Sequence, residues 1–94
     1  MRIRITSHLG HHEAVIDQDV AKAIFDKMTG KTKAALPESI RTKVPDNFEQ
    51  LAALWKDSRM SYLASAKQGE QLVAVKEFDP QIEDMLFIAP VMGG

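Results

Sequence analysis

Ala89-Pro90-Val91-Met92-Gly93-Gly94 is the stretch whose residue types suit a definite chemistry. Two successive glycines carry no Cβ, so the backbone there can enter a channel too narrow for side chains and be gripped through its main-chain groups. With a free carboxylate on Gly94, such a tail suits threading to the α-phosphate of ATP in a partner enzyme. The product is an acyl adenylate, from which a nucleophile displaces AMP. Rigid Pro90 and apolar Val91 and Met92, together with Phe87, are the expected docking residues, since holding them on the partner shortens the loose part of the tail and limits its ordering entropy. Gly93 and Gly94 are the expected point of activation. A chain that already stops at Gly94 would need no protease.

The other chemistry-bearing groups are weaker candidates. His8, His11 and His12 offer imidazoles to a metal, but no cysteine partner accompanies them and a turn rarely fixes three ligands, so a solvated histidine turn is expected. Lys27, Lys31, Lys33, Arg41 and Lys43 concentrate positive charge, with a solvated surface favoured over a docking patch for an acidic partner. Asp79, Glu83 and Asp84 read as turn carboxylates rather than an acid and base pair. No nucleophile and base pair, phosphate loop or base-stacking platform is evident, so the chain is expected to be a carrier or binding protein and not itself an enzyme. No bound metal or cofactor is expected.

Composition sets the frame for these groups. Ninety-four residues fit one domain spanning 1–94, and 45% hydrophobic residues with one Trp and four Phe are enough to build a core. A formal charge of -1 gives no electrostatic case for nucleic acid or an anionic membrane. There is no cysteine, which removes disulfides, thiolate catalysis and thiolate metal sites together. MRIRITSHLG lacks the apolar region of a signal peptide and no uninterrupted apolar span is long enough to cross a bilayer, so a cytoplasmic protein is expected.

The elements that must position the tail follow from periodicity. Arg2-Ile3-Arg4-Ile5-Thr6 alternates as a half-buried strand, and after a turn over Ser7 to His12 a second short strand is expected over Glu13 to Ile16. From Asp17 the period becomes helical. Asp17 or Asp19 can cap the start, Val20, Ile24 and Met28 recur every fourth residue beside Ala21 and Phe25, and Gly30 has the form of a helix end. An insertion over about 31–60 is expected to hold a short helix near Leu36 to Ile40, broken before Pro45. A second helix from about Asn47 to Asp57 would follow, opened by Asp46 and Glu49 as a capping box, with Phe48, Leu51, Leu54 and Trp55 turned inward. Strands are then expected over Ser61 to Ser65 and Leu72 to Phe78, around a turn at Gly69. Met85 to Ala89 has no polar face and so belongs in mid-sheet or under cover on both sides, with a flexible tail over 90–94. Placing this last strand beside and parallel to the first gives an α+β fold, a mixed β-grasp sheet with one packed helix and an extra helical insertion.

The end of the chain resembles the small β-grasp sulfur carriers of the molybdopterin-synthase small-subunit and thiamine sulfur-carrier type, ubiquitin-like proteins in which an apolar strand leads into Pro-Pro-Val-x-Gly-Gly. Here Ala89 replaces the first proline, the connection from Val75 to Met85 is shorter, and residues 31–60 are expanded; the resemblance covers about the last quarter of the chain. It implies a C-terminal thiocarboxylate on Gly94, made by an adenylating enzyme that uses ATP and delivered to a sulfur-accepting enzyme. Ile88-Ala89-Pro90-Val91 also resembles the β-grasp tail assembly proteins of lambda-like phages, which would imply binding during assembly without chemistry. A ubiquitin-like modifier conjugated to lysines would need the same terminus.

Overall fold

The computed structural model describes residues 1–7, 10–32, 34–48 and 62–88. Its elements run β1 (Arg2–Ser7), β2 (Gly10–Val15), α1 (Gln18–Met28), α2 (Glu38–Arg41), β3 (Leu63–Gln68), β4 (Gln71–Ala74) and β5 (Asp84–Ile88). The strands form one mixed sheet in the order β2-β1-β5-β3-β4, in which β1 and β5 are parallel neighbours and the other pairs antiparallel. This α+β arrangement is compatible with a β-grasp. The apolar last strand is central, as its composition requires: Arg2 to Thr6 on one side and Leu63 to Ala66 on the other take up its main-chain groups.

α1 lies on one face of this sheet because its apolar residues return every three or four positions. Val20, Ala21, Ile24, Phe25 and Met28 share a core with Ile3, Ile5, Ala64, Met85 and Phe87. Phe25 holds the centre, with ring centroids 6.1 Å from Phe87 and 5.9 Å from Phe78. Asp17 occupies the N-cap position but its side chain makes no cap bond. The C-terminal end is closed by the main chain, the N–H of Gly30 donating to Lys27 and that of Lys31 to Asp26. This paired closure requires a left-handed residue after the cap, and Gly30 supplies it with φ 78°.

Several boundaries differ from the sequence expectation for identifiable reasons. β2 starts at Gly10 rather than Glu13, because pairing with β1 continues through Thr6↔His11 to Ser7↔Gly10. His11 and His12 therefore belong to a strand and not a turn. β3 runs to Gln68 and β4 is only four residues long, separated by Gly69 and Glu70. Gly69 has φ 62° at the first turn position, the geometry a two-residue hairpin assigns to glycine. Beyond Val75, whose N–H still donates to Ala64, the chain leaves the sheet, and Phe78, expected in the strand, turns against Phe25 instead. In the insertion, α2 begins after Pro37, and Asp46 to Phe48 form a single 3-10 turn in which the Phe48 N–H donates to Pro45. Phe48 is buried as expected. Leu51, Leu54, Trp55 and the rest of the expected second helix lie outside the described residues.

Lys43 ties the insertion to α1 through an ion pair with Asp19 at 3.0 Å. That hydrogen bond, followed by one from the Val20 backbone, holds the Asp19 carboxyl below its ordinary value of 3.8. A depressed carboxylate pKa contributes stability above the unfolded value and loses it as pH falls through the folded value. Lys43→Ala should therefore bring the Asp19 titration back toward 3.8, as read by carboxyl NMR, and added salt should do the same because the pair is exposed.

Candidate functional site

Among the described residues, the sheet has one face under α1 and no element over the other, here called the open face. Alternation places Arg2, Arg4, Thr6, His11, Glu13 and Val15 on the open face of β1 and β2, and Leu63, Ser65, Leu72, Ala74, Asp84, Leu86 and Ile88 on that of β3, β4 and β5. The two halves differ in character. Across β2, β1 and β5 the residues form an ionic ladder: Arg4 Nη2 meets Asp84 Oδ2 at 3.0 Å, and Glu13 lies 3.5 Å from Arg4 Nε and 3.8 Å from Arg2 Nε. The Arg4 Nε contact is an ion pair without an aligned hydrogen bond. Across β5, β3 and β4 the same face exposes large apolar side chains, Leu63 65%, Leu72 57% and Ile88 38%, with Ser65 and Lys67 among them.

The point at which the chain leaves β5 lies at the centre of the sheet. Ile88 has Thr6 of β1 on one side and Leu63 of β3 on the other. The last described residue, Ile88, thus stands between two strands, beside Leu63, and both of these apolar side chains are exposed. On the polar side Thr6 Oγ1 lies 3.2 Å from His11 Nδ1, and His11 Nε2 lies 3.5 Å from Glu13 Oε2.

The expected site residues are distributed unequally over this frame. Pro90, Val91, Met92, Gly93 and Gly94 lie outside the described residues. Phe87, expected to dock a partner, is instead fully buried against Phe25, because odd-numbered positions of β5 face α1. It holds the strand that precedes the tail and offers no surface. Leu63 and Ile88 were not among the expected residues. Their signal was nonetheless in the sequence: a strand without a polar face must show apolar side chains on whichever side remains uncovered, and Leu63-Ala64-Ser65-Ala66 turns its alanines toward the helix.

Where they are described, the weaker candidates take structural roles; His8 lies outside the described residues. His11 and His12 are successive strand residues and face opposite sides, so they do not converge on one ion; His12 is buried edge-on to Phe48 at 6.3 Å. Among the described residues no three histidine, aspartate or glutamate side chains are grouped to hold a metal. The basic cluster is dispersed. Lys27 is buried, Lys31 stands 5.5 Å over the Phe25 ring, Arg41 and Lys43 pair with Glu38 and Asp19, and Lys33 lies outside the described residues. Asp79 accepts a hydrogen bond from the Gln81 N–H at 2.9 Å while Asp84 belongs to the ionic ladder, so the two carboxylates are engaged separately.

The chain matches no known family model, and no curated protein or solved structure is significantly similar to it. Among the described residues no helix is long and apolar enough to cross a membrane.

Proposed function

We propose that this protein is a ubiquitin-like sulfur carrier of β-grasp fold, activated at the carboxylate of Gly94. The observation that supports the reading is the parallel pairing of β1 and β5 at the sheet centre, with β5 ending at Ile88 between Thr6 and Leu63, directly before Ala89-Pro90-Val91-Met92-Gly93-Gly94 in the sequence. An adenylating enzyme of the cytoplasm would take this segment. A carboxylate oxygen of Gly94 attacks the α-phosphorus of ATP and pyrophosphate leaves. Sulfide-level sulfur then adds to the acyl carbon, AMP departs, and a thiocarboxylate remains for a sulfur-accepting enzyme. The chain itself is the substrate of these steps and supplies no catalytic side chain. Pro90, Val91 and Met92 dock on the partner, and Leu63 and Ile88 extend that contact in place of the buried Phe87.

The test is the intact mass of the protein isolated from its native cell. The expected spectrum contains a species ending at Gly94 with one carboxylate oxygen replaced by sulfur. A lysine-linked adduct at Gly94 would assign the protein to conjugation instead. A chain that runs on past Gly94 and co-purifies with tail structural proteins would assign it to phage-type assembly, for which Ile88-Ala89-Pro90-Val91 is the motif in common.

A further inference from the structure

The two edges of the sheet are treated differently. At the β2 edge the Asn47 side chain donates to the Glu13 carbonyl at 2.8 Å, and Phe48 packs against His12, so the segment before residue 49 covers that strand. At the β4 edge Gln71, Leu72, Val73 and Ala74 are all exposed, and none of them is a lysine or proline of the kind that discourages strand pairing.

The hydrogen-bond parity of this bare edge is fixed. The Val75 N–H donates inward to Ala64 at 2.9 Å, so alternation along an antiparallel strand turns the N–H and C=O groups of Leu72 and Ala74 outward. We propose that β4 pairs antiparallel with β4 of a second copy of this chain, about a two-fold axis at Val73, joining the two five-stranded sheets into one. In this register Leu72 faces Ala74 of the second copy and exchanges both main-chain bonds with it, and Ala74 does the same with Leu72. The side chains match in size, a leucine against an alanine on the open face and valine against valine on the other. Charge selects this register over its neighbours. It brings Glu70, in the turn before β4, toward Lys76 of the second copy, just past the end of its strand, and Lys76 toward its Glu70, at the two rims. Pairing Leu72 with Leu72, or Ala74 with Ala74, leaves both charges without a countercharge. The inference stands on β4 and the two charges that flank it and is independent of the chemistry at Gly94.

Sedimentation of the wild-type chain against concentration tests the association, and two charge variants test the register. One short strand per copy buries well under the ~1,200 Å² of a standard interface, so a dissociation constant on the order of 100 μM is expected. Amides of Leu72 and Ala74 should become protected from exchange as concentration rises, with Val73 unaffected. Glu70 and Lys76 are exposed, so Glu70→Lys and Lys76→Glu leave folding intact. Each variant alone places like charges at both rims and should dimerise about tenfold more weakly. Mixed together they restore two opposite-charge pairs and should associate as tightly as wild type. A wild-type chain that stays monomeric to roughly 1 mM, far above the expected constant, overturns the proposal. So does a mixture no tighter than its separate components, since it denies the register.

Discussion

Phe87→Ala is expected to destabilise the protein by about 3 to 5 kcal/mol, the usual cost of emptying an aromatic site in a closed core. The size of the effect follows from where β5 sits. Phe87 is fully buried, its ring lies against Phe25 of α1, and its strand has partners on both sides, so neither the helix nor the sheet can move in to fill the space. For a chain of 94 residues this is a large fraction of a stability that is typically 5 to 15 kcal/mol. Ile88→Ala, one residue on and facing the opposite way, should cost far less, because its side chain is already 38% exposed. Urea unfolding of the two variants checks the contrast. Equal losses would mean that β5 is buried on both faces, and the open face described above would then be wrong.

That alternation marks the boundary of what the sequence makes legible. The existence and type of the main elements follow from local period. Ile3 and Ile5 alternate as strand, Val20, Ile24 and Met28 repeat as helix, and the Met85 to Ile88 run, apolar throughout, requires strands at both edges, which the order β1-β5-β3 supplies. Strand ends are less legible, because they are decided by partners distant in sequence. His11 joins β2 since Thr6 is available to pair with it, and Phe78 leaves β4 since Phe25 offers a better site than solvent. The candidate site shows the same division. The reading of the segment after Ile88 rests on residue types and falls outside the described residues, whereas Phe87, expected to dock, is buried, because composition does not say which side of an apolar strand the helix will cover. Once Ile3 and Ile5 are set inward, register puts Met85 and Phe87 inward with them and leaves Leu86 and Ile88 outside.

Deleting Gly93 and Gly94 should leave the melting temperature unchanged and abolish activation. The two glycines have no side chains to bury, so their removal takes nothing from the core. Under the proposed function the reacting group is the carboxylate itself, and deletion withdraws it by two residues from a nucleotide whose position is set by the activating enzyme. Misplacement of a reacting atom even by about 1 Å is costly to a positioned reaction, and two residues of extended chain span roughly 7 Å, so the expected loss is complete. Adding one bulky residue after Gly94 should be as damaging for the opposite reason, since the carboxylate overshoots and a side chain enters a channel made for glycine. Replacing Phe87 is a different kind of lesion: it lowers stability, but any molecule that remains folded still presents Gly94. ATP–pyrophosphate exchange with the cognate activating enzyme, measured for the intact, shortened and extended chains, separates these cases. Absence of exchange by the intact chain would remove the carboxylate from the mechanism. An assembly role for Ile88-Ala89-Pro90-Val91 would then be the better account of the same segment.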